Sequence, residues 1–226
     1  MRVVFVLSSA ETLPPDRPIG CWLEELLAPY YHLLDHGARI TIATPRGGPA
    51  PIDPVSIDAL SGHPLMARYL GDDELNGRLL DTLRLEQVSP SDCDAVIYPG
   101  GYSPMLDLRN DPTSIDLIGA MLQDGKLVGT ICHGAAVLLD VRASNGEPLV
   151  FNRTLTSFTD SEEDAVGARD AVPYLVETEL RAQGAVYSSA KDWQPWVVVD
   201  GNLVTGQNPA SALGVAEEIM RLYGAK

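Results

Sequence analysis

Cys132 stands at the corner of Leu127-Val128-Gly129-Thr130-Ile131-Cys132-His133-Gly134-Ala135-Ala136. A short apolar strand there runs straight into a small-residue helix. This is the cysteine form of a nucleophile elbow, a sharp strand-to-helix turn that lifts a reactive side chain out of a sheet. Small neighbours give the turn room, and N–H groups at the helix start favour a thiolate. The competing reading is an inert cysteine at the end of a core strand. The His-Gly-Ala-Ala context favours the reactive thiol, and Cys132 is expected to be the most acidic of the three cysteines. Cys21 lacks such a context. Cys93 sits among acidic residues in Ser91-Asp92-Cys93-Asp94, which raise a thiol pKa. Both read as non-catalytic.

Two further elements could serve such a thiol. Tyr98-Pro99-Gly100-Gly101 ends a strand, and sites in parallel α/β sheets lie at the carboxyl ends of strands. Paired glycines there could aim a backbone N–H at a developing oxyanion, or form an ordinary turn. Glu24-Glu25 lies in a helix, with Glu25 on the stripe of Trp22 and Pro29. A carboxyl among apolar neighbours stays protonated and can move a proton. Glu24 reads as solvated; for Glu25 the surface and buried readings both stand. Adjacent side chains at a turn point apart, so His133 reads equally as an orienting or a structural residue. His32 and His36 have i, i+4 spacing, but no third ligand accompanies them, and helix-surface histidines are the favoured reading.

The elements that must position these residues follow from periodicity. Val3–Leu7 is a continuous apolar run, as in a strand covered on both faces. Residues 22–36 carry apolar positions at helical spacing, Gly37 stops that helix, and Arg39–Ala43 is the next strand. This βαβ opening predicts a parallel sheet. Residues 45–64 read as a Pro- and Gly-rich excursion, followed by a helix over Asp72–Leu83. Strands are expected at Ala95–Tyr98 and Leu127–Ile131, with a helix over Ser114–Gln123 between them and another starting at Gly134–Leu139. Leu149–Phe151 and Thr154–Phe158 read as a hairpin across Asn152-Arg153. A helix at Val172–Arg181, a strand at Ala185–Ser188, a hairpin across Asp200-Gly201 and a last helix from Ala210 to Tyr223 complete the chain.

The 226 residues fit one domain, 1–226, with no repeat or linker. A chain of that length buries about 70% of its unfolded surface and needs no staple. Net charge is −15, which disfavours phosphate backbones and anionic membranes as partners. The odd, low cysteine count argues against a disulfide framework. The N-terminal apolar run is too short for a membrane span and lacks a signal-peptide pattern. A cytoplasmic location is expected.

Together these residues resemble the ThiJ/PfpI superfamily, with its class I glutamine-amidotransferase-like fold. They are most similar to its heat-shock-chaperone-like branch with glutathione-independent glyoxalase (glyoxalase III) activity. The resemblance rests on Trp22-Leu23-Glu24-Glu25 with Pro29, Thr44-Pro45-Arg46-Gly47-Gly48, Asp53-Pro54 and Tyr98-Pro99-Gly100-Gly101. It continues through Ile131-Cys132-His133-Gly134, Phe158-Thr159-Asp160-Ser161-Glu162-Glu163 and Gly206-Gln207-Asn208-Pro209-Ala210-Ser211. It implies an α/β, flavodoxin-like three-layer sandwich with a mostly parallel sheet. It also implies catalytic roles: Cys132 as nucleophile, Glu25 as the proton-moving carboxyl, His133 beside the nucleophile and Glu163 as that histidine's partner. Gly100, Gly101 and Tyr102 fall at the substrate and oxyanion site. Where this branch commonly has a histidine, a glycine and then a tryptophan after the double glycine, this chain has Tyr102, Ser103 and Leu106. The implied reaction is a lyase-type conversion of methylglyoxal to lactate (the D-lactate dehydratase class), with no cofactor, in a homodimer.

Other functions compete. A holdase chaperone or stress protein could use Cys132 as a redox sensor. A hydrolase or hydratase of another small electrophile could use the same thiol. A glutamine amidotransferase is disfavoured, because its histidine comes late in the chain and none follows His133.

Overall fold

The computed structural model describes residues 1–225. Its strands are β1 Arg2–Val6, β2 Thr12–Leu13, β3 Arg17–Pro18, β4 Arg39–Thr44, β5 Leu83–Arg84, β6 Ala95–Tyr98, β7 Leu127–Ile131, β8 Thr154–Leu155, β9 Val186–Tyr187, β10 Val197–Asp200 and β11 Leu203–Gly206. The helices are α1 Leu23–Asp35, α2 Pro54–Ala59, α3 Pro64–Leu70, α4 Asp73–Leu80, α5 Pro112–Gln123, α6 Asp160–Ala165, α7 Val176–Ala182 and α8 Ala212–Gly224.

Seven strands form the central sheet in the order β10-β11-β7-β6-β1-β4-β5. Every pairing is parallel except the β10–β11 hairpin at one edge. Alternation along the strands divides two cores. Val3 and Phe5 of β1 face the cluster that includes Leu26, Leu27 and Ile219, from α1 and α8. Val4 and Val6 face the cluster that includes Leu117, Ile118 and Met121, from α5. Helices therefore cover both faces of the sheet, the three-layer arrangement that a βαβ opening and continuous apolar strands require.

The chain reverses direction along the sheet at β1, whose neighbours are β6 on one side and β4 on the other. Crevices open at the carboxyl ends of strands at such switch points. The turn after β6, the end of β7 and the start of α1 all converge there.

Several expectations are corrected. Residues 149–158 make no hairpin: β8 pairs in parallel with β9 as a separate two-stranded sheet. Asn152 does turn the chain, at φ 59°, but its N–H is taken by the Gly184 carbonyl, which ties the turn to the β9 region instead. An alternating apolar run marks a strand without naming its partner. The segment after the elbow, Cys132–Leu138, is 3-10 rather than α-helical and is buried throughout. The helix expected over residues 172–181 begins only at Val176, after Pro173; the position before a proline disfavours the α region. The excursion holds α2 and α3, each with a proline in its first turn. Their N-caps are Asp53 and His63, whose side chains accept from Val55 N–H and Leu65 N–H. Helix α6, which the sequence reading did not place, starts on a capping box between Thr159 and Glu162.

Candidate active site

Cys132 has φ 58°, the left-handed region that a non-glycine residue enters only where its surroundings hold it. Its holders are identifiable. A Cβ on Gly134 would lie 2.2 Å from the Tyr98 carbonyl oxygen and 3.0 Å from that of Pro99. A Cβ on Gly100 would meet His133 N and Ile131 O at 2.8 Å, and the Cys132 Cβ at 2.9 Å. The two glycines let the ends of β6 and β7 touch backbone to backbone, and so place the thiol. Gly134→Ala should cost roughly 3 kcal/mol or more, since rigid carbonyls must move. A denaturant midpoint within error of wild type would show that the elbow tolerates the methyl group.

The structure settles Glu25. It is fully buried in the first turn of α1, whereas Glu24 beside it is partly exposed. Gly100 N–H donates to Glu25 Oε2 at 2.7 Å. Glu25 Oε1 is buried without a hydrogen-bond partner, and Cys132 is near enough that thiol and carboxyl each shift the other's pKa. Burial pushes the Glu25 carboxyl up to about 8, against the Gly100 N–H and the thiol, which hold it down. Gly100 is thus corrected from oxyanion donor to anchor of Glu25, because its N–H is already engaged.

The thiol itself departs from expectation. Burial, and then the negative charge of Glu25, push the Cys132 thiol up, while the His133 N–H works in the opposite direction. Burial pushes Cys21 and Cys93 up as well. An isolated low-pKa cysteine is therefore not what the site contains. Cys132 and Glu25 form a coupled pair in one dry enclosure, and their protons belong to the pair. When the carboxyl holds the proton its repulsion vanishes, and it can donate to the sulfur.

His133 does reach Cys132, contrary to the rule that neighbours at a turn point apart. The left-handed turn at Cys132 brings Sγ to 3.2 Å from His133 Nδ1. His133 Nε2 faces Glu163 Oε2 at 2.7 Å. Tyr102 Oη donates to the other oxygen, Glu163 Oε1, at 2.9 Å. Burial alone would raise Glu163, but the hydrogen bonds from His133 and Tyr102 outweigh it, and the carboxyl sits below its ordinary value. The Arg17 guanidinium, on β3, lies 4.9 Å from the centre of the Tyr102 ring.

Tyr102 is the second correction. Its ring lines the pocket, but its hydroxyl points at Glu163 rather than offering itself to a substrate. Tyr102→Phe should lower kcat about three- to tenfold with KM unchanged, the size of effect expected for a hydrogen bond that orients a partner. A raised KM with unchanged kcat would return the hydroxyl to substrate binding. Gly101, at φ 85°, lines the pocket and packs so closely on the Gly20 carbonyl that a Cβ would lie 2.3 Å from it.

Cys132, His133, Gly101 and Tyr102 share a pocket of about 70 Å³ with Trp22, Phe158, Val166, Trp193 and Pro209. A single water needs about 10–15 Å³ on this scale, so the room suits a molecule of a few heavy atoms. The aromatic wall was missing from the site read in the sequence. Trp22 and Phe158 stand inside the quoted motifs, but nothing in a motif says that a ring faces a cavity. Cys21 and Cys93 lie outside the pocket, and all three cysteines are free thiols. His32 and His36 stack at 4.5 Å on α1, away from it.

Residues 23–222 match the DJ-1/PfpI family. The chain belongs to the DJ-1/PfpI family. Among curated relatives of this family, Glyoxalase 3 of Candida albicans is 27% identical over 232 residues, spanning 99% of this chain and 98% of that protein. The glutathione-independent glyoxalase of Saccharomyces cerevisiae is 28% identical over 153 residues, 64% of each chain. Among solved structures, the 24 kDa Rapid Encystment Protein of Francisella tularensis superposes with a TM-score of 0.93. It is 33% identical and 98% of each chain is covered. Glyoxalase III of Candida albicans shares the fold at a TM-score of 0.85 and 24% identity, covering 98% of this chain and 97% of that one.

Proposed function

We propose that this DJ-1/PfpI-family protein is a glutathione-independent glyoxalase that turns methylglyoxal and similar small 2-oxoaldehydes into hydroxy acids. The observation that carries this reading is the pairing of Cys132, which lines a small aromatic pocket, with a buried carboxyl behind it, Glu25, raised to about 8. The relatives named as glyoxalases support it.

The reaction follows from those groups. Cys132 Sγ attacks the aldehyde carbon, the C=O π bond breaks, and the oxygen takes a proton to give a hemithioacetal. Glu25, as carboxylate, removes the hydrogen from that carbon as a proton. The electron pair left behind forms the C=C bond of an enediol, while the neighbouring C=O π bond breaks and its oxygen takes a proton from His133. Glu25 returns its proton to that neighbouring carbon, and the hydroxyl on the former aldehyde carbon gives its proton back to His133 as that carbon becomes a thioester carbonyl. Water adds to the thioester, the C–S bond breaks, and lactate leaves with Cys132 restored as the thiol. Methylglyoxal plus water equals lactate, so no electron carrier enters.

His133, held by Glu163 at its far nitrogen, moves the proton between sulfur and substrate oxygen. The Gly101 N–H, at the pocket wall, is the donor proposed for the developing oxyanion. The reading also carries a homodimer, tested by light scattering; a particle of one chain's mass at micromolar concentration refutes it.

The chemistry is tested by acid-quenching the reaction in its first turnovers and mapping the peptides. An adduct of one methylglyoxal on Cys132, absent from Cys21 and Cys93, is expected. Adducts confined to lysine and arginine would leave simple scavenging in its place.

A further inference from the structure

Glu162 is fully buried one residue before Glu163, yet has no bond to Cys132 or His133. Its Oε1 accepts from the Trp193 N–H at 2.9 Å and from Asn208 Nδ2 at 2.8 Å. Its Oε2 accepts from the N–H of Thr159 at 3.1 Å and from the Thr159 hydroxyl at 3.0 Å. Four donors thus converge on one carboxyl group. Two of them come from loops that supply pocket wall: Trp193 lines the pocket, and Asn208 precedes Pro209, which also lines it.

Trp193 has φ 64° although it is a bulky residue. That conformation is uphill and persists only where neighbours over-determine it. The residue is 47% exposed, so burial alone does not hold it. The Glu162 oxygen on its N–H is a polar restraint, and Phe158, at 5.8 Å between ring centres, is an apolar one. Phe158 in turn lies 4.5 Å from the His133 ring. A single stack therefore runs from His133 to the pocket mouth, and its outer member is fixed through Glu162.

We infer that Glu162 is a positioning residue that clasps Trp193 and the Asn208-Pro209 turn into the substrate-binding wall, and so sets substrate affinity while Glu163 serves the chemistry. Neighbouring carboxylates on the same short helix divide the work, one reaching the histidine and the other the wall. Only the choice of substrate in the test rests on the glyoxalase reading.

In Glu162→Gln the amide NH2 faces an N–H donor whichever way it turns, Thr159 N–H at one oxygen position or Trp193 N–H and Asn208 Nδ2 at the other, although the Thr159 hydroxyl can turn to accept. KM for methylglyoxal should rise about fivefold or more with kcat within about twofold, the signature of lost ground-state binding. Amide hydrogen exchange over residues 189–196 should quicken. Trp193→Ala, at a half-exposed position that does not threaten folding, should reproduce the KM rise. A fall in kcat with KM unchanged in Glu162→Gln, or unaltered exchange over 189–196, overturns the inference. If Glu162→Gln does not fold, an unchanged KM in Trp193→Ala overturns it. If wild type does not turn over methylglyoxal, the glyoxalase reading fails, and exchange over 189–196 still decides the clasp.

Discussion

Cys132→Ala should leave the fold intact and lower methylglyoxal turnover by roughly four orders of magnitude or more. The substitution removes the only sulfur in the pocket and adds no atom to it. No other group there can form the first bond. Far-UV circular dichroism and the thermal midpoint provide the control for folding, and product formation provides the measurement. Activity within tenfold of wild type would move the chemistry elsewhere. The same substitution separates functions, since aggregation suppression by an apolar surface needs no thiol and should survive it.

Glu25→Gln is expected to have the next largest effect. The amide keeps the shape of the carboxyl and can still accept from Gly100 N–H, but it cannot carry a proton from one substrate carbon to the next. A loss of about 10²–10⁴ in kcat is expected, the range for a positioned general base. The pH profile adds a second sign. Glu25 holds its proton until about 8, so below that pH most enzyme lacks the carboxylate base. Wild-type kcat/KM should therefore rise with pH through an ascending limb near about 8. In Glu25→Gln that limb should disappear from this range, leaving only the ionisation of the thiol at higher pH. A limb that stays in place in the variant would assign it to another group.

How much of this was legible in the sequence depends on the kind of physics involved. The β1, β4, β6 and β7 strands, with α1, α5 and α8, appear as apolar periodicities because each buries a defined face. The β8–β9 pairing does not, since its partners are about thirty residues apart and short apolar runs carry no address. The site residues Cys132, Glu25, His133 and Glu163 were named through motifs, and the structure brings all four together. What motifs could not give was direction. The Cys132–His133 contact depends on a positive φ at Cys132. The Gly100 N–H turns to Glu25, and the Tyr102 hydroxyl turns to Glu163. The coupling of Cys132 to Glu25 is a property of shared burial, which reverses the pKa expected from a helix start alone. Glu162 could have been noticed through its capping box, but its second role depends on loops 31 and 46 residues further on.

The proposed isomerisation of methylglyoxal by Cys132 and Glu25, with His133 and Glu163 beside them, needs no glutathione. Its most direct test is a time course of methylglyoxal loss and lactate formation with purified protein and no glutathione, metal or nucleotide. One lactate is expected for each methylglyoxal lost, at a rate proportional to enzyme. Methylglyoxal that disappears without lactate would contradict it.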